Sequence, residues 1–183
     1  MRKVQVNMEK LILVDGCDRP VGTATKKEAH AQGLLHRAFS VVLVREGVKG
    51  PELLLARRAE GKYHSAGLWA NSCCSHPRVG EDLLDAAYRR VREELGCRAE
   101  DLRELGAFIY RAPFDNGLVE YEYDHVFLGR PATGGEPAPD PTEVSAVRWV
   151  PAEELARELV ESPEKFCAWA FTVLGMALAE FGR

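Results

Sequence analysis

SHPRVGEDLLDAAYRRVREELG, residues 75–96, begins as a loop and turns into a helix. Leu83, Ala86, Ala87, Val91 and Leu95 recur at the three-and-four spacing of one helical face, so residues 82–95 read as an amphipathic helix. Gly96 stops it. Arg89, Arg90, Glu93 and Glu94 fall among the polar positions, and Glu81 stands just ahead of the first turn. A helix with one apolar side needs a surface to pack on, and the flanking sequence supplies strands. Residues 38–44 (AFSVVLV) and 52–57 (ELLLAR) are apolar runs around Gly47, Gly50 and Pro51, and read as a hairpin. Residues 108–111 and 119–128 flank Asp115, Asn116 and Gly117, a second hairpin signal. Residues 11–14 and 144–150 read as a first and a last strand.

Residues 58–80 are rich in Gly, Ser, His and Cys and show little periodicity, so they read as one long loop, a kind of segment that often carries function. Residues 131–141 hold four prolines and two glycines and read as a surface linker. Pro151 opens a short helix, and a final helix follows Ser162 and Pro163, with the apolar stretch 166–179 buried on the sheet. The expected class is α+β: a mixed, largely antiparallel sheet layered between helices. One domain is expected over 1–183, with residues 1–37 as an N-terminal extension, 38–150 as the core and 151–183 as the C-terminal helices.

Composition narrows the function. The chain has 183 residues, 46% of them hydrophobic and 28% charged, which suits a core-forming globular domain and excludes collagenous and disordered classes. A formal net charge of −4 argues against a general nucleic-acid binder. The longest apolar stretch is interrupted by Thr172 and Gly175 and is too short for ~30 Å of hydrocarbon, so no membrane span is expected. The first ten residues lack the apolar run and small-residue cleavage site of a secretory signal. Five cysteines, at 17, 73, 74, 97 and 167, form no CxxC pair, which fits free thiols in a reducing cytoplasm.

Three groups of residues carry chemistry. In Asn71–Pro77 (NSCCSHP), written 71–77 by position, the Cys74 thiol lies two residues from the His76 imidazole, in a segment running into a helix. Such surroundings can activate a thiol, while the plain alternative is a small packed cysteine beside a solvent-facing histidine. Glu120 and Glu122 lie two apart in a strand, so both carboxylates face one side, and Asp124 continues that side. Like charges so placed need solvent or a cation between them, so the face is either a solvated strand or half a metal site. His30 and His36 bracket a Gly-containing turn. With His76 and the two glutamates they make a nitrogen-and-oxygen donor set that suits Mn²⁺, Zn²⁺, Fe²⁺ or Mg²⁺ without choosing among them.

The opening stretch resembles the Nudix box, G-x5-E-x7-R-E-U-x-E-E-x-G-U. Glu81, Arg89, Val91, Glu93, Glu94 and Gly96 match; Ser75 replaces the first glycine and Arg90 the glutamate after the first arginine. The box presents carboxylates to a Mg²⁺ that bridges diphosphate oxygens. Arg90 reverses one of those charges, which points away from hydrolysis and toward holding a diphosphate intact.

Across nearly its whole length, in order, the chain resembles the type I isopentenyl-diphosphate delta-isomerases. The motifs that carry this are KKEAH (26–30), HRAFS (36–40), RRAEGK (57–62), NSCCSHP (71–77), RRVREELG (89–96), EYE (120–122) and FCAW (166–169). The resemblance implies a Nudix-like fold and interconversion of isopentenyl and dimethylallyl diphosphate, within isoprenoid precursor biosynthesis. It implies a divalent metal (Mn²⁺, Zn²⁺ or Mg²⁺) on His30, His36, His76, Glu120 and Glu122. It implies Cys74 and Glu122 as the acid–base pair with Tyr110 beside Glu122, and a Mg²⁺ on the diphosphate near Glu94 and the Cys74 carbonyl. Lys26, Arg58, Lys62 and Arg90 are the implied phosphate contacts, and Trp169 the aromatic wall. The expected partner is a small prenyl diphosphate, and the expected state a monomer or weak dimer. The sequence departs from the family pattern at Ser65, Ala66 and Ala70. The alternatives are a Nudix-type diphosphate hydrolase and a non-catalytic metal-binding module. His64 and His125 are read as structural or loop residues, Cys73 has no assigned role, and Cys17, Cys97 and Cys167 are read as small apolar packers.

Overall fold

A computed structural model describes residues 10–182. The first nine residues of the expected extension and Arg183 lie outside the described residues. Strand β3 (His36–Gly47) is the hub. Its first half pairs in parallel with β8 (Val119–Pro131) and antiparallel with β6 (Cys73–Ser75), and its last residues pair antiparallel with β4 (Gly50–Arg58). Strand β1 (Lys10–Val14) meets β3 where Leu13 stands opposite His36, and pairs antiparallel with β2 (Pro20–Thr25). On the other side β4 pairs with β5 (Trp69–Ala70) and β9 (Val144–Pro151), and β8 pairs with β7 (Ala99–Pro113). The sheet is therefore mixed, as expected, and the one parallel pair among the described strands is β3 with β8.

Alternation along β3 sorts the core into two layers. Val41 and Leu43 face one side and Val42 the other, all fully buried. Helix α2 (Leu83–Leu95) covers the first side, laying Ala86, Ala87, Val91 and Leu95 on Phe39, Val41, Leu43 and Leu54. The Asp82 carboxylate caps it by accepting from the Leu84 and Asp85 N–H groups, and Gly96 closes it in the left-handed region at φ 64°. Helices α3 (Ala152–Glu161) and α4 (Ala170–Ala179) cover the second side, with Leu155, Val173, Leu174 and Ala177 on Val42, Leu53, Leu55 and Val126. Each fully buried aliphatic side chain contributes roughly 1.5–3 kcal/mol. Helix α1 (Lys26–Gln32) starts at a reciprocal Thr25–Glu28 capping box and ends at Gly33, also left-handed.

Three expectations need correcting. Residues 58–80 are not one loop, because β5 and β6 form within them. Strands of two and three residues are too short to show alternation, so pairing partners create them and local pattern does not reveal them. The apolar stretch 166–179 is helical only from Ala170: after a 3₁₀ turn, Pro163–Lys165, Phe166 bridges to Trp69 and the Cys167 N–H donates to the Trp69 carbonyl at 2.9 Å. Cys17 is exposed in a turn rather than packed, whereas Cys73, Cys97 and Cys167 are buried. No helix among the described residues is long and apolar enough to cross a membrane.

Candidate active site

Strand register assembles the site. Across β6, β3, β8 and β7 it sets Cys74 opposite Ser40, His36 opposite Glu122, and Glu122 opposite Tyr110. These side chains share one face of the sheet, whereas Cys73, Phe39, Val41 and Phe127 pack beneath α2 on the other. Glu120, Glu122 and Asp124 are all buried, so the carboxylate face of β8 is not a solvated one.

His30, at the end of α1, His36, at the start of β3, His76, just after β6, and Glu122 offer four ligand atoms within 4.8 Å of one another. His30 Nε2 is buried without a hydrogen-bond partner, and His36 Nε2 meets only the Glu122 carboxylate, at 3.4 Å. Orphaned buried nitrogens are costly unless something fills the space between them, and three imidazoles with one carboxylate are a donor set for a divalent cation. His36 Nδ1 sits 2.8 Å from the Leu34 carbonyl, which aims its other nitrogen into the cluster. Burial lowers His30 to about 3 and His76 to about 4, so both are neutral and able to ligate. Burial also works to lower His36, but the Glu122 carboxylate outweighs it and raises that imidazole. Burial would raise Glu122; bonds from His36 and His76 override this and hold its carboxyl well below the usual range.

Glu120 lies outside that four-atom set. Its Oε2 accepts from the Tyr110 hydroxyl at 2.9 Å, its Oε1 is 2.8 Å from His64 Nε2, and the same Tyr110 hydroxyl reaches Glu122 Oε2 at 2.7 Å. His64, read from sequence as a structural or loop residue, lies in a loop and is buried, stacked on Phe114 with ring centroids 4.3 Å apart. A periodicity argument had no means of finding it, because it sits in an irregular loop and its partners come from β8.

Around Cys74 the polar groups converge. Its Sγ donates to Asn71 Oδ1 at 3.0 Å, accepts from the Trp169 indole N–H at 3.1 Å and lies 3.3 Å from Ser40 Oγ. Ser40 in turn donates to Asp124 Oδ2 at 2.8 Å. Burial pushes the Cys74 thiol well up, with Asp124 adding to the effect, so the sulfur keeps its proton at neutral pH. Burial and the Glu122 charge likewise push Asp124 well above the usual carboxylate range.

Cys74, Glu122 and Trp169 line one cavity of about 250 Å³. Lys26, Arg58, Lys62 and Arg90 line it too, together with Glu94. All four expected phosphate contacts therefore meet in one place, although they come from α1, β4, the following loop and α2. The Arg58 guanidinium lies 5.3 Å from the Trp169 ring centroid, and Lys62 is paired with Glu143. On α2, Arg89 forks onto Glu81 at 2.6 and 2.8 Å and reaches Glu93 at 3.0 Å, while Arg90 holds Glu93 and Glu94. Each of the three box carboxylates thus has a guanidinium partner. His125 lies apart from this site, between Glu104 and Asp18.

An α+β sandwich with a glutamate-and-arginine helix beside a cation-lined cavity defines the class: residues 34–170 match the NUDIX domain model, and the chain belongs to that family. Solved structures agree on the fold. DR0079 from Deinococcus radiodurans superposes with a TM-score of 0.67 at 22% identity, over 96% of this chain and all of that one. A MutT NUDIX hydrolase from Burkholderia pseudomallei gives 0.61 at 22% identity, over 78% of this chain and 97% of that one. Sequence relatives are more specific. The isopentenyl-diphosphate Delta-isomerase of Photobacterium profundum is 46% identical over 94% of this chain and 96% of its own length, and that of Burkholderia multivorans 47% identical over 88% of each. Within the NUDIX fold, the chain belongs to the isopentenyl-diphosphate Delta-isomerase family.

Proposed function

We propose that this enzyme interconverts isopentenyl and dimethylallyl diphosphate, with Cys74 and Glu122 as the proton-transferring pair. The observation that carries the reading is that a buried thiol, a buried carboxylate and an indole line the same cavity as four cationic side chains. An unactivated alkene is a weak base, so moving its double bond by one carbon takes an aimed acid to protonate one end and a base to remove a proton from the neighbouring carbon. The reaction is reversible, and the two groups exchange those roles with its direction. A tertiary cation lies between the two steps. The Trp169 ring stabilises positive charge without attacking it, worth up to ~2 kcal/mol in a dry site. Trp169 is itself buried, on a segment that docks on β5 through Phe166 and Cys167, which keeps the ring away from water that would convert the cation to an alcohol. Tyr110 holds Glu122 from the side opposite the histidines.

The diphosphate is the handle. Lys26, Arg58, Lys62 and Arg90 offer point charges and forks to its oxygens, which fixes the reacting carbons beside the catalytic pair. Glu94 and the Cys74 carbonyl are our candidates for a Mg²⁺ that arrives with the diphosphate. His30, His36, His76 and Glu122 are the residues we assign to a resident divalent metal, with Glu120 as support through Tyr110. A cation bound there supplies Lewis-acid polarisation of the Glu122 carboxyl. Hydrolysis uses the box carboxylates as metal ligands, and the pairing of Glu93 and Glu94 with Arg90, which stands where the box has a glutamate, favours a bound but uncut diphosphate. Free thiols and the small anionic substrate fit a cytoplasmic enzyme.

The test is incubation with isopentenyl diphosphate and Mg²⁺ in D₂O, followed by NMR. Dimethylallyl diphosphate carrying deuterium, with no release of phosphate, is the expected result. Phosphate release without label would move the protein to the hydrolases, and neither product would leave a binding module.

A further inference from the structure

The loop after β4 supplies three consecutive residues to the site, each with a different partner. Lys62 turns toward the anion cavity, His64 lies against Glu120, and Tyr63 between them places its hydroxyl 3.1 Å from His30 Nδ1. The Tyr63 ring also carries the Lys26 ammonium, 5.3 Å from its centroid, and the Tyr63 carbonyl accepts from Asn116 Nδ2 at 2.9 Å. Lys26 and His30 lie one turn apart on α1. One tyrosine therefore ties a member of the four-donor cluster to two of the cations that line the diphosphate cavity, across two elements far apart in sequence.

The hydrogen bond matters because His30 presents its other nitrogen, Nε2, buried and unpartnered, toward the cluster. A ligating imidazole is oriented by what its second nitrogen bonds to. His36 uses a backbone carbonyl for this, whereas His30 uses a side chain on the phosphate-facing loop. We propose that Tyr63 is a positioning residue that couples occupancy of the histidine cluster to the order of the loop carrying Lys62, and so to the grip on the diphosphate. Coupling of this kind is reciprocal, so a loop held by substrate also favours the metal-ready pose of His30. The inference rests on the metal-and-diphosphate reading of the site given above.

Tyr63→Phe keeps the ring under Lys26 and removes only the hydroxyl. Zn²⁺ alone is titrated into the metal-free full chain, wild type and variant, and amide exchange of a peptide covering residues 60–68 is followed by mass spectrometry. Wild-type exchange is expected to slow about tenfold on Zn²⁺ binding, and that of Tyr63→Phe less than about twofold at saturating Zn²⁺. Zn²⁺ affinity of the variant is expected to fall ~10-fold, the lower end for outer partners of metal-ligating histidines. With isopentenyl diphosphate, KM of the variant is expected to rise about tenfold with kcat within about twofold, as weaker substrate holding requires. Equal slowing in the two proteins, or slowing in neither while Zn²⁺ binds, overturns the role of Tyr63 and leaves the function standing. Failure of wild-type protein to bind Zn²⁺ overturns the metal reading and this inference with it.

Discussion

Cys74 shows how little a residue's identity says without its contacts. The sulfur is surrounded by an indole N–H, an amide oxygen and a serine hydroxyl, and burial keeps it a thiol. Cys73, its neighbour, points into the core beneath α2 because strand side chains alternate. Replacing Cys74 by Ala is expected to lower kcat by about 10²–10⁴-fold, the usual contribution of a proton-transfer group, and also to lower the melting temperature, because the Trp169 N–H and the Asn71 oxygen lose their sulfur partner. Undiminished turnover in that variant would remove Cys74 from the mechanism. A pH effect follows from the histidines. In the metal-free protein His30 and His76 are lowered from 6.5 to about 3 and about 4, chiefly by burial. The unfolded chain takes up these protons near pH 6.5, so below that pH it binds more protons than the folded chain. Stability is then full above pH 6.5 and is lost progressively from 6.5 down to about 4 for His76 and about 3 for His30, partly offset by His36, whose raised value works in the opposite sense. Chelated protein is therefore expected to melt lower at pH 5 than at pH 7 in calorimetry; an equal or higher melting temperature at pH 5 would contradict the burial argument.

Helix α2 is the element that reads most directly from sequence, since its apolar stripe, its Asp82 cap and its Gly96 stop are all local. Asp82→Ala removes the side chain that satisfies two first-turn N–H groups and is expected to cost about 1 kcal/mol in denaturant unfolding. Gly96→Ala is expected to cost more than that. Its backbone sits at φ 64°, and a Cβ there would run into the Ala138 carbonyl oxygen. The same helix holds Arg90, where charge rather than capping is at stake. Its guanidinium is the partner of Glu94 in the cavity wall, so Arg90→Gln removes a cation that lines the cavity and leaves a buried carboxylate less well paired. By the value of a charged hydrogen bond, about 1.5–3 kcal/mol, KM for isopentenyl diphosphate is expected to rise by about 10–100-fold in steady-state kinetics. Strands β5 and β6 were illegible for the opposite reason: they exist only through their pairing with β4 and β3.

At the scale of the molecule, the site stands where the elements converge. The four side chains that could hold one metal come from α1, β3, the segment after β6, and β8, so a cation bound there would tie together parts of the chain otherwise joined by packing. Loading with Zn²⁺ at ~100 times its Kd is expected to raise stability by about 2.7 kcal/mol, read as a higher melting temperature that reverts on chelation. A melting temperature indifferent to Zn²⁺ would show that the cluster does not hold it.

The sequence by itself determined the family, the α+β class, the α2 helix and the shared face of Glu120 and Glu122, and it singled out Cys74, His30, His36 and His76 as candidates. These rest on periodicity within one element or on motif spacing, both written along the chain. Tertiary structure alone decided that His64 and Tyr63 belong to the site, that Glu120 faces Tyr110 and His64 while Glu122 joins the histidines, and that Ser40 links Cys74 to Asp124. Each of those relations joins residues from different elements, and strand register and loop docking, unlike spacing along one element, take their values only when the whole sheet has formed.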